Sequence, residues 1–534
     1  MSHAPTRGVA EMERGRVTGP GLSGDPLARA AVVWLSRILA AAAACLFVAT
    51  VASKVLAEGV CCADDGAYAL IAKNVATGIG YANTLTPYRS DYGEIVPYDP
   101  TLGSGPAVIL PAAACVAVFG NKYWVPGFSV VMLWLIPLSA TTVVLWPHFG
   151  KARASFVVMA FFVLVYALFP FHFEQWYALL GEVPASCLIV LGVAVWASSP
   201  QTKGWSFVAG LAFGLGVLSK TLTVLWFAGF AGVFLSCAAL GGEAPRRGLT
   251  GRFLAALCGF AAPMTLFEVW KWVALGHDAY LGVSLGALSF IKAQGVAGTA
   301  PRGLWVRVTE NSRLLQVRYG FSIWELLILG GLAAGVAWKR GSVPLRRTAM
   351  ALYVGFVLHS LYWAALSRGW PRYMVIALVP FALIVCLPIA TATTARQLGV
   401  SLAVLLVCLV PAARTLSVPL SGMDAGWFRP NERLRHAFVV SRYIDDNAHG
   451  KSVYTQWWAM VAAFEYQARE RVRFHRIWAA ANRDPREESF VVLDDRWLDR
   501  NDTELAVLLA ACGDPVIDLS PYRVYRCGAT AGAR

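Results

Sequence analysis

The sequence runs to 534 residues, of which 57% are apolar and 15% charged, with a mean hydropathy of +0.55 and a formal net charge of +14 at pH 7. An ordinary soluble domain carries about 25% charged residues, so a water-soluble globule is excluded, and uncharged apolar runs of about 17–25 residues exclude disorder for most of the chain. The positive balance does not point to nucleic acid, because much of it is Arg and Lys in short loops between apolar runs, where it sets membrane orientation.

Residues 1–30 are polar and rich in Gly and Arg, and read as a disordered cytoplasmic tail. The apolar run 31–56 is too long for the core of a signal peptide and is expected to stay as an uncleaved first span. Further spans are expected near 124–146, 154–170, 178–197, 205–219, 221–240, 253–275, 323–338, 349–366, 372–391 and 397–415, about eleven in all at a length that crosses about 30 Å of hydrocarbon. Lys151, Arg153, Lys203, Arg246, Arg247, Arg252, Lys339, Arg340, Arg346, Arg347 and Arg396 then fall on one side with the N-terminus, and that side is the cytoplasm. Counting 105–120 as a crossing would break this order, so 107–119 is expected to be a juxtamembrane helix. The opposite side receives 57–123, 276–322 and 416–534.

From about residue 424 the chain is charged and alternates helix-like with strand-like stretches. Helices are predicted at 431–448 and 503–511 and strands at 451–456, 490–493 and 522–525, which make a small α/β domain over 416–534 outside the membrane. The whole is expected to be a polytopic α-helical membrane protein, transmembrane over 31–415, with that C-terminal α/β domain. Among 11 cysteines there is no CxxC and no Cys/His pairing at metal-site spacing. Cys512 with Cys527 is a candidate disulfide if the domain faces an oxidising compartment.

The first outer loop opens with Asp64 and Asp65 at the start of an amphipathic helix that ends at Gly78 and Gly80. One of the two acids can serve as an N-cap for the orphan amides. Holding both beside a bilayer is costly, which favours a working role. Lys220 lies at a turn between two spans, where a snorkelling lysine is the plainer reading and an anion ligand the sharper one. Arg368 and Arg372 bracket another outer turn. Basic residues on the outer side run against the charge rule and invite an anion such as a lipid phosphate. Glu174 and Glu182 open an outward-facing span, where a helix dipole would stabilise them whether or not they function. Glu268 and Lys271 are expected to pair across one helical turn. His359 is expected to satisfy a neighbour.

These groups fit one reaction. A carboxylate takes the proton of an acceptor hydroxyl as it attacks the anomeric carbon of a sugar on a polyprenyl phosphate, while Lys and Arg stabilise the phosphate that leaves. A single displacement inverts the anomeric centre. No cofactor is required; a divalent cation between Asp64 and Glu182 is compatible with the scheme without being needed by it.

The motifs, in their order, resemble the GT-C glycosyltransferases, in particular the protein O-mannosyltransferase and lipid A aminoarabinose transferase group. Asp64-Asp65-Gly66-Ala67-Tyr68 is similar to that group's Asp-Glu-x-x-Tyr, and Gly78-Ile79-Gly80-Tyr81 to its Gly-x-Gly-Tyr. Tyr98-Asp99-Pro100 with Gly105-Pro106 resembles the lead into its juxtamembrane helix. Gly181-Glu182-Val183-Pro184, Leu218-Ser219-Lys220 and Pro371-Arg372-Tyr373 fall where members carry Gly-Glu-x-Pro, Thr-Lys and Arg-Tyr. The resemblance covers roughly 31–391. It implies Asp64 as base, with Asp65 in place of the usual Glu, and Lys220, Arg368 and Arg372 at the donor phosphate. Glu182, Tyr98 and Glu174 are then expected at the acceptor, and the loop 276–322, with Arg302, Arg307, Arg313 and Arg318, is expected to close over the donor.

The function so implied is a membrane glycosyltransferase of a bacterial inner membrane, with its site and C-terminus periplasmic. Its partners are a polyprenyl-phosphate sugar, a lipid, polysaccharide or protein acceptor and membrane lipid, with no nucleic acid. The alternative is a multispan transporter or flippase of lipid-linked precursors, which would place its charges at the midplane and show an inverted repeat. A further alternative is a non-catalytic anchor for cell-wall polymer.

Overall fold

The computed structural model describes residues 26–83, 95–99, 103, 105–149, 151–168, 173–200, 202–240, 246–291, 303–367, 369–413, 428–455, 463, 466–468, 472–476, 487–495, 503–510 and 512–528. The expected N-terminal tail lies outside these residues, apart from a first helix that starts at Pro26.

Each apolar run named above is a helix. They are α1 (Pro26–Glu58), α4 (Val125–Phe149), α5 (Lys151–Leu168), α6 (Glu182–Ser198), α7 (Lys203–Ser219), α8 (Val224–Leu240), α9 (Arg246–Leu275), α12 (Ile323–Arg340), α13 (Val343–Ala365), α14 (Val375–Thr391) and α15 (Ala395–Ala413). Among the described residues five helices are long and apolar enough to cross a bilayer, or six if α12 is counted together with the helix bent into it; five more of these helices, and Pro106–Phe119, are apolar but shorter. The chain is a multi-pass membrane protein. Helix α14 is apolar on every side and buried along its whole length, as expected of a helix surrounded by other helices. It packs chiefly against α5, α6, α12 and α13, and also against α15 and α4. Helices α7 and α9 pack closely because Gly210 faces α9 without a side chain; a Cβ there would overlap the Ala256 carbonyl.

The expected surface helices are α2 (Ala63–Ala76) and α3 (Pro106–Phe119). Between them a short antiparallel pair, β1 (Ala82–Asn83) and β2 (Val96–Pro97), joins the ends of the first loop. The stretch expected to be a loop, 276–322, holds two helices instead, α10 (His277–Ile291) and α11 (Leu304–Tyr319). Helix α11 was hidden by its polarity. It buries Asn311, Ser312, Leu315 and Tyr319, only one of them aliphatic, and then bends by 74° into α12. Arg307, Arg313 and Arg318 lie on α11, and Arg302 falls outside the described residues.

The C-terminal domain contains α16 (Glu432–Asn447), β3 (Ser452–Thr455), β4 (Arg473–Arg476), β5 (Ser489–Asp494), the helix Thr503–Ala510, β6 (Ile517–Leu519) and β7 (Tyr522–Cys527). The sheet order is β4-β3-β5-β7-β6, with β3 parallel to β4 and β5, and β7 antiparallel to β5 and β6. Strand alternation sorts the side chains onto two faces. Val453, Phe474, Phe490, Val492 and Val524 meet α16 on one face, together with Ala67 and Leu70 of α2. Tyr454, Val491, Leu493 and Tyr525 meet Leu505 on the other, beside the Cys512–Cys527 disulfide. The domain and the first loop therefore share one core.

Candidate active site

Helix α2 begins directly after α1, and its first turn carries Asp64 and Asp65. Successive helical residues point about 100° apart, and the two carboxylates go separate ways. Asp64, about a quarter exposed at 26%, sends Oδ2 to Nη1 of Arg372 at 2.5 Å. Asp65 is 1% exposed. Its Oδ1 accepts the Leu179 backbone N–H at 2.9 Å and its Oδ2 the Cys61 N–H at 2.8 Å. Burial pushes the Asp65 carboxyl up to about 6, against the opposing pull of those two amides. Expected beside Asp64 in catalysis, Asp65 has no open face for a substrate; it ties α2 to the turn that precedes α6.

Arg372 sits on the short 3-10 helix Pro371–Met374, at the start of α14. Its guanidinium carbon is 4.9 Å from the Trp370 ring centroid and 5.4 Å from that of Tyr373. Lys220, at the turn from α7 to α8, lies on the same Tyr373 ring, with Nζ 5.4 Å from the centroid. The buried lysine also reaches Glu182 Oε1 at 2.8 Å and the Leu180 carbonyl at 3.0 Å. Glu182 has 0% exposure. Expected at the acceptor, it is enclosed at the start of α6, and its carboxylate orients Lys220. Tyr68, one turn along α2 from Asp64, accepts the Gly103 N–H at 3.0 Å. Gly105 has to be glycine, because α3 starts against the last turn of α7 and a Cβ there would overlap the Leu218 carbonyl.

Asp64, Glu182, Lys220 and Arg372 thus meet from four separate parts of the chain. Arg368 lies outside the described residues. Tyr98 does not stand free at the site. With an unusual φ of 48° it stacks on Tyr81 at 5.4 Å and lies edge-on to Trp270 at 5.6 Å. Glu174 is half-buried in the 3-10 helix Phe173–Trp176, where its backbone carbonyl accepts from Tyr177 and Ala178. His359 is a satisfied core group as expected: its Nδ1 accepts the Trp226 indole N–H at 3.3 Å, and its Nε2 lies 3.0 Å from the Tyr373 carbonyl. Glu268 and Lys271 pair at 2.7 Å as expected. Sequence reasoning gave Tyr373 no role, although its position next to Arg372 was the available signal: its ring joins the two cations.

An apolar cavity of about 730 Å³ opens beside this cluster, between α3, α4, α6, α7 and α9. Leu110, Leu133, Leu188, Leu215 and Leu218 line it, with Phe267 and Trp270 shared with the Tyr81–Tyr98 stack. Leu218 is two residues from Lys220, so the charged cluster and the oily groove adjoin. That combination suits a ligand with an anionic head and a hydrocarbon tail. Among the described residues no three His, Cys, Asp or Glu side chains converge as a metal site.

No protein-family model matches the sequence, and no curated protein is similar to it. Solved structures are similar in fold. The chain superposes on ArnT from Cupriavidus metallidurans bound to undecaprenyl phosphate with a TM-score of 0.57 and 12% identity, over 93% of this chain and 98% of that one. The apo state of the same protein gives a TM-score of 0.45 at 14% identity over 95% and 100% of the two chains. The Archaeoglobus fulgidus oligosaccharyltransferase gives 0.47 at 12% identity over 84% of this chain and 69% of that one, and neither of these last two adds weight. The first superposition shows that the chain shares the fold of that ArnT structure over nearly its whole length.

Proposed function

We propose that the chain is a membrane glycosyltransferase that moves a sugar from a polyprenyl phosphate to an acceptor hydroxyl, with inversion at the anomeric carbon. The observation that carries this reading is the meeting of Asp64, Arg372 and Lys220 around the Tyr373 ring, next to the apolar groove. Undecaprenyl phosphate is what the ArnT structure of like fold holds, and the groove here is of the right character for an isoprenoid tail.

In this scheme the donor phosphate takes the guanidinium of Arg372 and the ammonium of Lys220. Charge-assisted bonds of this kind are about twice as strong as neutral ones. The phosphate competes with Asp64 for Arg372, so donor binding frees the carboxylate at the moment it is needed. The acceptor oxygen attacks C1 on the face opposite the phosphate. Its proton passes to Asp64, the C1–O bond to phosphate breaks, and polyprenyl phosphate leaves with both electrons of that bond. Asp65 and Glu182 hold Asp64 and Lys220 in place.

The bacterial inner membrane, with the site on its periplasmic side, is the setting that fits. The Cys512–Cys527 disulfide suits an oxidising compartment. Lys151, Lys203, Lys339, Arg340, Arg346, Arg347 and Arg396 lie at the helix ends remote from the site. The test is incubation of purified protein with a panel of polyprenyl-phosphate sugars. Release of polyprenyl phosphate from at least one donor supports the reading; none from any donor, alongside movement of a lipid-linked substrate across vesicles, would replace it with a transporter.

A further inference from the structure

Besides the shared core, the C-terminal domain reaches the first loop through residues 466–468. Asn121, in the turn from α3 to α4, donates through Nδ2 to the backbone carbonyls of Tyr466, Gln467 and Ala468 at 3.0, 3.4 and 3.2 Å. Lys73, in the last turn of α2, donates through Nζ to the same Ala468 carbonyl at 2.7 Å. The Tyr466 side chain is fully buried in the main apolar core of the molecule, and its hydroxyl donates to the Lys122 carbonyl at 3.1 Å.

Three turning carbonyls and a buried aromatic are a costly way to dock a domain unless the docking fixes something, since each ordered group loses conformational freedom. What it fixes is α2. The helix is held at its first turn by Asp65 on the Leu179 N–H, along one face by Ala67 and Leu70 in the core of the C-terminal sheet, and at its last turn by Lys73 on Ala468. Asp64 stands on the remaining face, toward Arg372. We propose that residues 466–468 are a positioning clamp, through which the C-terminal domain sets the placement of Asp64 against the donor site. The catalytic half of this rests on the transferase reading above. Lys73 and Asn121 are positioning residues in it; neither touches the reacting atoms. A misplacement of about 1 Å at a reacting centre costs about 10²-fold in rate, so the clamp acts on turnover, while a displaced Asp64 competes less with the donor phosphate for Arg372.

The test uses full-length protein in detergent with Lys73→Met, Asn121→Ala and, as the conservative variant, Lys73→Arg. Amide exchange across residues 63–76 reads the clamp without reference to activity; kcat and donor KM read its consequence. Expected are faster exchange in α2, a fall in kcat of about 10²-fold with donor KM no higher than in wild type, and recovery of exchange and kcat in Lys73→Arg. Unchanged exchange in both Lys73→Met and Asn121→Ala overturns the clamp, whatever the protein catalyses. Faster exchange with unchanged kcat, or a rise in donor KM as the main effect, overturns its role in placing Asp64. If the wild type releases no polyprenyl phosphate, the transferase reading fails by itself, and the exchange measurement still decides whether the clamp exists.

Discussion

Asp64 and Arg372, 308 residues apart in sequence, are joined by a 2.5 Å contact between Oδ2 and Nη1. The pair couples the two halves of the proposed reaction, because the group that would take the proton is held by the group that would hold the phosphate. A guanidinium presents a rigid fork of donors that an ammonium cannot reproduce. Arg372→Lys should therefore raise donor KM by about 10–100-fold, the equivalent of losing a charged hydrogen bond of about 1.5–3 kcal/mol. Steady-state kinetics on a saturating acceptor measure it; an unchanged donor KM removes Arg372 from the phosphate site.

Glu182 and Lys220 make a second ion pair with almost no solvent contact. Removing one member of a buried pair strands the other, at about 3–5 kcal/mol, whereas removing both costs much less. Lys220→Met should lower the thermal unfolding temperature markedly, and the double variant with Glu182→Gln should recover most of the loss. Additive losses in the double variant would show that the two charges do not depend on each other.

Asp65 gives a pH signature. Its carboxyl titrates near 6 in the folded protein, against about 3.9 in an unfolded chain. The folded state thus holds the proton more tightly, so the contribution of this group to stability is full below about pH 4 and is lost as the pH rises through about 6. Two units correspond to about 3 kcal/mol. Asp65→Asn cannot titrate, and the stability of wild type relative to it should fall by that order between pH 4 and 7 in thermal unfolding. A difference that grows with pH has the wrong sign for a carboxyl raised by burial.

The apolar groove predicts a dependence on chain length. Leu133→Trp places an indole among the lining side chains. It should weaken a long-chain polyprenyl donor far more than a short-chain analogue that carries the same sugar phosphate, read as the ratio of their KM values. An equal effect on both would separate the groove from the donor.

The apolar helices were legible in the sequence because length and apolarity mark them, and five of the described helices, or six if the bent pair is one span, are long enough to cross a bilayer. The meeting of Asp64 with Lys220 and Arg372 was legible too, through the shared side of their turns and the order of the motifs. Asp65 was less so. Adjacent acids look equivalent along a chain, and only the helical rotation between them, with Leu179 waiting on one side, makes one a structural tie. Glu182 read as an open carboxylate since nothing near it in sequence announces Lys220 as its partner. Helix α11 was lost to its polar buried face, strand β4 to its three basic residues in four, and strand β6, of three residues, is too short to carry a period. The cross-connection of 466–468 to Asn121 and Lys73 is backbone recognition, for which side-chain patterns hold no signal.

The measurement that tests the account most directly is release of polyprenyl phosphate by Asp64→Asn, with donor binding measured on the same preparation. The account predicts a loss in turnover of about 10²–10⁴-fold, with donor bound at least as tightly as by wild type, because Arg372 is no longer shared with a carboxylate. Wild-type turnover from a folded Asp64→Asn protein would contradict it.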